Sequence, residues 1–288
     1  MNSTGDETLD WPVPHGGAAV LSADDEVFTW RQGTDEDHRF AVASVTKPLS
    51  ALAVLTAVEA GRLGLDDPVE PDQAPAGSTV RHLLAHASGL PFEEGRPRQP
   101  GQRRVYSNLG FRVLATLTEQ AVGQPFFDWL DERVLRPLAM RSTTLEPPHA
   151  DSEGPSHGAV TTLPDLALLA GCLLDHGAPV IGPELFAEAV TVQFPGLAGL
   201  VPGVGSYNPC DWGLGFELKD GKTRHWMGDA RSPATFGHFG ASGSFVWVDP
   251  AAGLAAAAVT DRPFNDDGWA MKAWPAWSDA AGRSIQRS

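Results

Sequence analysis

Phe40-Ala41-Val42-Ala43-Ser44-Val45-Thr46-Lys47-Pro48 is the stretch on which the reading of this chain turns. It sets a serine and a lysine three positions apart at the mouth of a long apolar run. Leu49, Leu52, Leu55 and Val58 recur at every third residue and Val54 broadens the stripe, so the spacing predicts a helix from Leu49 to Gly61. Ser44 is a favourable helix-starting residue, and Pro48 fits only near a first turn, because deeper in the helix it would remove a bond and clash. The helix is therefore expected to begin at or beside Ser44. Residues i and i+3 share a helix face, which lets the Lys47 amine reach the Ser44 hydroxyl. A hydroxyl is a weak nucleophile until a base takes its proton. A lysine becomes that base when apolar surroundings penalise its ammonium form. The helix start adds partial positive charge and N–H groups beside the serine, which suits the oxyanion formed when a carbonyl is attacked. Taken alone, Ser-x-x-Lys is more often a helix cap followed by a surface lysine. The rest of the chain decides.

With 288 residues and 42% hydrophobic content, the chain can bury a large core in one or two closely packed domains. Its formal net charge of −15 disfavours nucleic acid and anionic membranes as partners. The cysteines, Cys172 and Cys210, give neither a disulfide framework nor a zinc spacing and read as buried or incidental thiols. No metal and no cofactor are expected. Met1 to Asp10 is polar and acidic and lacks the basic and apolar regions of a signal peptide. No run approaches the length of a membrane span. The expectation is a cytoplasmic protein acting on a small molecule.

Along the chain, residues 1–16 read as a loose lead-in. Gly17 to Leu21 and Val27 to Trp30 read as a β-hairpin around an acidic turn from Ser22 to Asp25. Helices are expected at Val80–His86, Leu109–Val122, Pro125–Leu135, Thr162–His176 and Pro183–Val190. Glu146–Gly158 and Phe194–Cys210 read as irregular, Trp212–Leu218 as a strand, and Lys219–Thr235 as a polar loop. Phe236–Gly240, Ser244–Val248 and Leu254–Thr260 form an antiparallel meander, followed by a helix from Gly268 to Ala281 despite Pro275. Strands at both ends and helices between them give an α+β class, with the hairpin and meander in one sheet flanked by the Ser44 helix and the last helix. A sheet lobe would comprise about 17–62 and 192–288, and a helical lobe about 63–191, together one catalytic domain over 17–288. The cleft between them is where a site is expected.

Ser44-x-x-Lys47 is followed by Tyr106-x-Asn108 at a loop-to-helix junction and by His238-x-Gly240 on a strand. These motifs, in this order, resemble the serine β-lactamase and DD-peptidase superfamily, in detail its class C β-lactamase, DD-carboxypeptidase and β-lactamase-fold esterase branch. Val80 to Pro91 and Tyr106 through Gly123-Gln-Pro-Phe to Met140 are similar to the segments that frame those motifs, and the resemblance covers roughly residues 17 to 262. It implies a β-lactamase/transpeptidase-like fold and a serine hydrolase. Ser44 would carry the acyl group, Lys47 would share its proton, and Tyr106 would act as base toward the serine and later toward water or leaving group. A phenol ordinarily titrates near ~10, so Tyr106 would need cations, and Lys47 and His238 are the candidates. Asn108 would bind the acyl side of the substrate, and the N–H groups of Ser44 and Ala241 would form the oxyanion hole. Many relatives carry Thr or Ser where this chain has Phe239. A phenyl ring cannot donate a hydrogen bond to a substrate carboxylate, and His238 stands in place of a lysine. The resemblance thus implies small esters or amides, ahead of β-lactams, D-Ala-D-Ala peptides or acyl transfer. A non-catalytic binding or sensing domain is the alternative of a different class.

Two further patterns compete. Gly154-Pro-Ser156-His-Gly158 spells a nucleophile elbow, yet the Pro- and Asp-rich residues before it leave no room for the strand such an elbow needs. His82 and His86 have the spacing of a zinc helix, but Leu83 occupies the place of its glutamate, so helix-end hydrogen bonding is the better reading. His225 and Trp226 are placed in ordinary loop packing or along the pocket, and the C-terminal tryptophans in the core.

Overall fold

The computed structural model describes residues 7–8, 10–23 and 27–285. Strands, in chain order, are β1 (Glu7–Thr8), β2 (Gly16–Ser22), β3 (Val27–Gln32), β4 (Phe40–Ala41), β5 (Thr144–Leu145), β6 (Ala159–Thr161), β7 (Gly199–Val201), β8 (Gly205–Tyr207), β9 (Glu217–Leu218), β10 (Phe236–Gly240), β11 (Ser244–Asp249) and β12 (Leu254–Thr260). Helices are α1 (Thr46–Glu59), α2 (Val80–Leu84), α3 (Asn108–Val122), α4 (Phe126–Leu130), α5 (Gly154–His157), α6 (Leu163–Leu174), α7 (Pro183–Ala189) and α8 (Ala270–Ile285). Each helix expected from the apolar periodicity is present within a few residues. No helix among the described residues is long and apolar enough to cross a membrane.

The main sheet has the order β1-β3-β2-β12-β11-β10-β9. Hairpin and meander join through β2 and β12, which run antiparallel with Ala19 opposite Ala257, as the sequence predicts. Alternate residues point to opposite faces. On β11, Val246 and Val248 enter one core while Phe245 and Trp247 enter another. The first core lies beneath α1, α3, α4 and α6, and the second is an aromatic layer under α8 that contains Trp226, Trp269 and Trp274. With both faces covered, β12 is a continuous apolar run, Leu-Ala-Ala-Ala-Ala-Val-Thr, buried at every position.

Several expectations change. The helix α6, which the sequence places among the helices of the middle, packs on β12, β2 and β11. The short side chains of Ala255 and Ala257 on that face let a helix approach closely. Glu7–Thr8, read as part of the loose lead-in, pairs in parallel with Trp30–Arg31. Phe194–Cys210 contains the ribbon β7–β8, and Trp212–Leu218 contributes only the two residues of β9 to the sheet. Glu146–Gly158 ends in α5, and the flanking β5 and β6 join β4 in a separate three-stranded sheet. The acidic turn expected at Ser22–Asp25 falls partly outside the described residues.

Candidate active site

Ser44 sits in a 3₁₀ turn, Ala43–Val45, that leads into α1. The turn is pinned from several sides. Val42 N–H donates to Ala159 O of β6 at 2.9 Å. Thr46 Oγ1 donates to Ala43 O at 2.6 Å and accepts from Ala159 N–H at 2.9 Å. Ala43 has a φ of +43°, a conformation that non-glycine residues adopt only when surroundings impose it. The helix begins beside Ser44, as the spacing predicts; Val45 directly precedes α1 and no side chain caps it. The Ser44 hydroxyl is therefore not spent on the backbone. Gly240 explains the His-x-Gly spacing. A Cβ there would stand 2.1 Å from Val42 O, so only glycine lets β10 lie against the segment carrying the serine.

Lys47 lies in the first turn of α1 and is wholly buried. Its Nζ contacts Ser44 Oγ at 3.3 Å, Asn108 Oδ1 at 2.7 Å and Ser156 O at 2.8 Å. Burial drives its pKa well below that of an ordinary lysine, and the Glu93 carboxylate only partly opposes this. A neutral amine has two N–H groups and one lone pair. Asn108 Oδ1 and Ser156 O can only accept, so they take both N–H groups. In that neutral form the lone pair would be left for the Ser44 hydroxyl to donate to.

Tyr106 precedes α3, and its hydroxyl interacts with that of Ser44. Its oxygen also lies 3.4 Å from His238 Nε2 on β10. His238 Nδ1 is 2.7 Å from Phe239 O. A carbonyl cannot donate, so Nδ1 carries the ring proton and Nε2 accepts from the Tyr106 hydroxyl. Lys47, one of the two cations expected to help Tyr106, places its Nζ 4.8 Å from the ring centroid. Burial raises the Tyr106 pKa, with the Ser44 interaction a lesser opposing effect. The same burial, with Lys47 nearby, brings His238 down to about 3. Burial thus favours the uncharged form of phenol, imidazole and amine alike, because no ion is strongly solvated there.

The Asn108 amide has one orientation available. Its Nδ2 donates to Glu93 Oε1 at 3.0 Å, and a carboxylate can only accept, so Oδ1 must face Lys47. Ser44, Phe92, Tyr106, Trp212, His238, Phe239 and Ala241 line a narrow cavity of ≈ 90 Å³. Phe239 presents one edge to it and packs the rest against Phe264 and Trp226, with ring centroids 4.6 and 5.4 Å away. A wider groove of ≈ 740 Å³ past Leu138, Leu168 and Cys172 is lined by none of these groups.

The structure thus brings Ser44, Lys47, Tyr106, Asn108, His238, Phe239, Gly240 and Ala241 together. Ser156 is buried; its hydroxyl donates to Glu153 O at 2.8 Å, and its carbonyl serves Lys47. His82 bonds Thr79 and stacks on Phe194, while His86 accepts from Ser107 N–H and packs on Tyr106. Among the described residues no cluster of three or more metal-ligating side chains occurs. His225 and Trp226 both bond the Glu217 carboxylate and are loop packing. Glu93, Trp212 and the Ser156 carbonyl went unnoticed in the sequence. Glu93 is one charge among many in its loop, and a backbone carbonyl leaves no trace in residue patterns.

The Beta-lactamase family model matches residues 13–280. A solved structure described as a β-lactamase, from Mycobacterium bovis, is 47% identical with a TM-score of 0.86, over 94% of this chain and 95% of that one. Esterase EstB of Burkholderia gladioli is 35% identical over 150 residues, 37% of this chain and 38% of the esterase. Penicillin-binding protein 4* of Bacillus subtilis is 31% identical over 134 residues, 36% of this chain and 30% of the relative. The matched segment spans about a third of the length of these curated relatives.

Proposed function

The chain belongs to the Beta-lactamase family, and on that footing we propose a serine hydrolase that forms its acyl-enzyme on Ser44 and prefers small esters or amides. The supporting observation is the placement of Lys47: a buried amine whose Nζ contacts Ser44 Oγ, Asn108 Oδ1 and Ser156 O, in surroundings that lower its pKa. Ser44 Oγ attacks the substrate carbonyl carbon as its proton passes to Lys47. Backbone N–H groups of Ser44 and Ala241 receive the developing oxyanion. Tyr106, between Ser44 and His238, carries a proton to the departing alcohol or amine as the carbonyl re-forms. Water then attacks the acyl-enzyme and the same groups work in reverse. The narrow cavity and its aromatic edge at Phe239 favour small, uncharged groups on that side.

Mass spectrometry after exposure to a fluorophosphonate or a p-nitrophenyl ester is expected to show an adduct on Ser44. An unlabelled Ser44, with label on another residue, defeats the proposal. β-Lactam hydrolysis is the second reading, supported by the likeness to the Mycobacterium bovis protein. Against it, a β-lactam carboxylate would meet the Phe239 ring in place of a hydroxyl. Turnover of a chromogenic cephalosporin equal to that of the ester would favour this second reading.

A further inference from the structure

Glu93 is exposed, yet its position is set by the catalytic framework. Ser107 Oγ donates to Pro91 O at 2.7 Å, and Asn108 N–H donates to Phe92 O at 2.9 Å. At the far end of the loop, Arg98 N–H donates to Gly89 O at 2.9 Å and Gly101 N–H to Ala87 O at 2.8 Å. These bonds tie Phe92 and Glu93 to the start of α3. Phe92 lines the cavity and lies parallel to the Tyr106 ring at 6.0 Å. Glu93 Oε1 then meets Asn108 Nδ2, so one chain of contacts runs from Ser44 through Lys47 and Asn108 to an exposed carboxylate.

The opposite edge of the cavity is different. Phe239, Phe264 and Trp212 line it, and its only basic ring, His238, is neutral. The cavity is thus mostly apolar, and the Glu93 carboxylate lies beyond its lining, against Asn108 and next in sequence to the lining residue Phe92. An acyl chain ending in a carboxylate would meet Glu93 as a like charge, whereas an ammonium would be drawn to it.

We propose that Glu93 is a specificity-determining residue that selects esters or amides whose acyl portion carries a cationic amine and rejects anionic acyl groups. The idea rests on the acyl-enzyme reading above and adds to it the charge of the substrate. The ammonium would approach the Glu93 carboxylate beside Asn108, while the leaving group occupies the aromatic end.

The experiment uses p-nitrophenyl esters matched in acyl length and ending in an ammonium, a methyl or a carboxylate group. For the full chain, kcat/KM is expected to fall in that order, with at least ~30-fold between the ammonium and carboxylate esters, a scale typical of attraction in one and repulsion in the other at a partly solvated site. Glu93→Gln is expected to compress that ratio to under ~5-fold and Glu93→Lys to invert it. Glu94→Gln removes the same charge one residue along, so the ratio should survive it. A ratio that Glu93→Gln leaves intact, or that Glu94→Gln lowers equally, overturns the proposal. Adduct analysis of each ester separates the two levels. If Ser44 is acylated but charge preference ignores Glu93, the inference alone fails; if no ester acylates Ser44, the hydrolase reading fails with it.

Discussion

Lys47 and Lys222, two of the buried lysines, are treated in opposite ways. Lys222 lies 3.7 Å from Glu217 Oε1, donates to Asp211 O at 3.0 Å, and bonds Leu218 O as well. Glu217 also accepts from His225 Nε2 and Trp226 Nε1, each at 2.8 Å. Burial alone would raise the Glu217 carboxyl, but His225, Lys222 and Trp226 together hold it at about 2. Lys47 touches three oxygens, none of them a carboxylate oxygen. Its nearest anion, Glu93, reaches it only through Asn108. Partners hold the buried Glu217 carboxyl in its charged form, whereas burial without a contacting carboxylate penalises the Lys47 ammonium and pushes the amine toward the form that acts as a base.

Substitutions should separate the two roles. The largest effect is expected from Lys47→Met, which removes the base and keeps the stem: kcat/KM for a p-nitrophenyl ester should fall by ~10³-fold or more, with a melting temperature within a few degrees of the parent. Glu217→Ala should do the reverse. It strands His225 and Lys222 without their anion, and urea unfolding should show a loss of ~3–5 kcal/mol, while the protein that remains folded keeps ester turnover within ~10-fold. If both variants lose stability alike, or both lose activity alike, the contrast between the lysines is broken.

The smallest effect concerns pH. Lys47 accepts a proton only when neutral, so kcat/KM should rise with pH as the amine deprotonates and then level. Because burial lowers its pKa, that rise belongs well below the ordinary lysine value of 10.5. His238, at about 3, adds no limb near neutrality, and burial moves His86 in the same downward direction. Glu93 raises the Lys47 pKa, so Glu93→Gln should move the limb to lower pH, by under ~1 unit because the carboxylate is exposed and screened. A limb displaced to higher pH would show that Lys47 is not the group being titrated.

Much of this was legible in the residues, for reasons that differ from place to place. The interval between Ser44 and Lys47, and the apolar stripe from Leu49 to Val58, are local features, and helix geometry converts them directly into a shared face. The hairpin and meander carry enough alternation for their strands to be placed. Tyr106 and His238 were brought to Ser44 by resemblance alone, since nothing in their own surroundings points to a partner so distant in sequence. The sheet of β4, β5 and β6 was invisible because strands of two or three residues have no periodicity to read. It is nonetheless what holds the Ser44 turn.

The sequence by itself determined the helix behind the serine, the strands of hairpin and meander and the residue types available for acyl chemistry, because those follow from spacing and side-chain character. Only the tertiary structure decided how strongly each is desolvated. Lys47 was expected to become a base in apolar surroundings and, with His238, to be a candidate cation beside Tyr106; packing lowers the pKa of both and raises that of the phenol. Desolvation depends on every neighbour at once, and no stretch of chain records it.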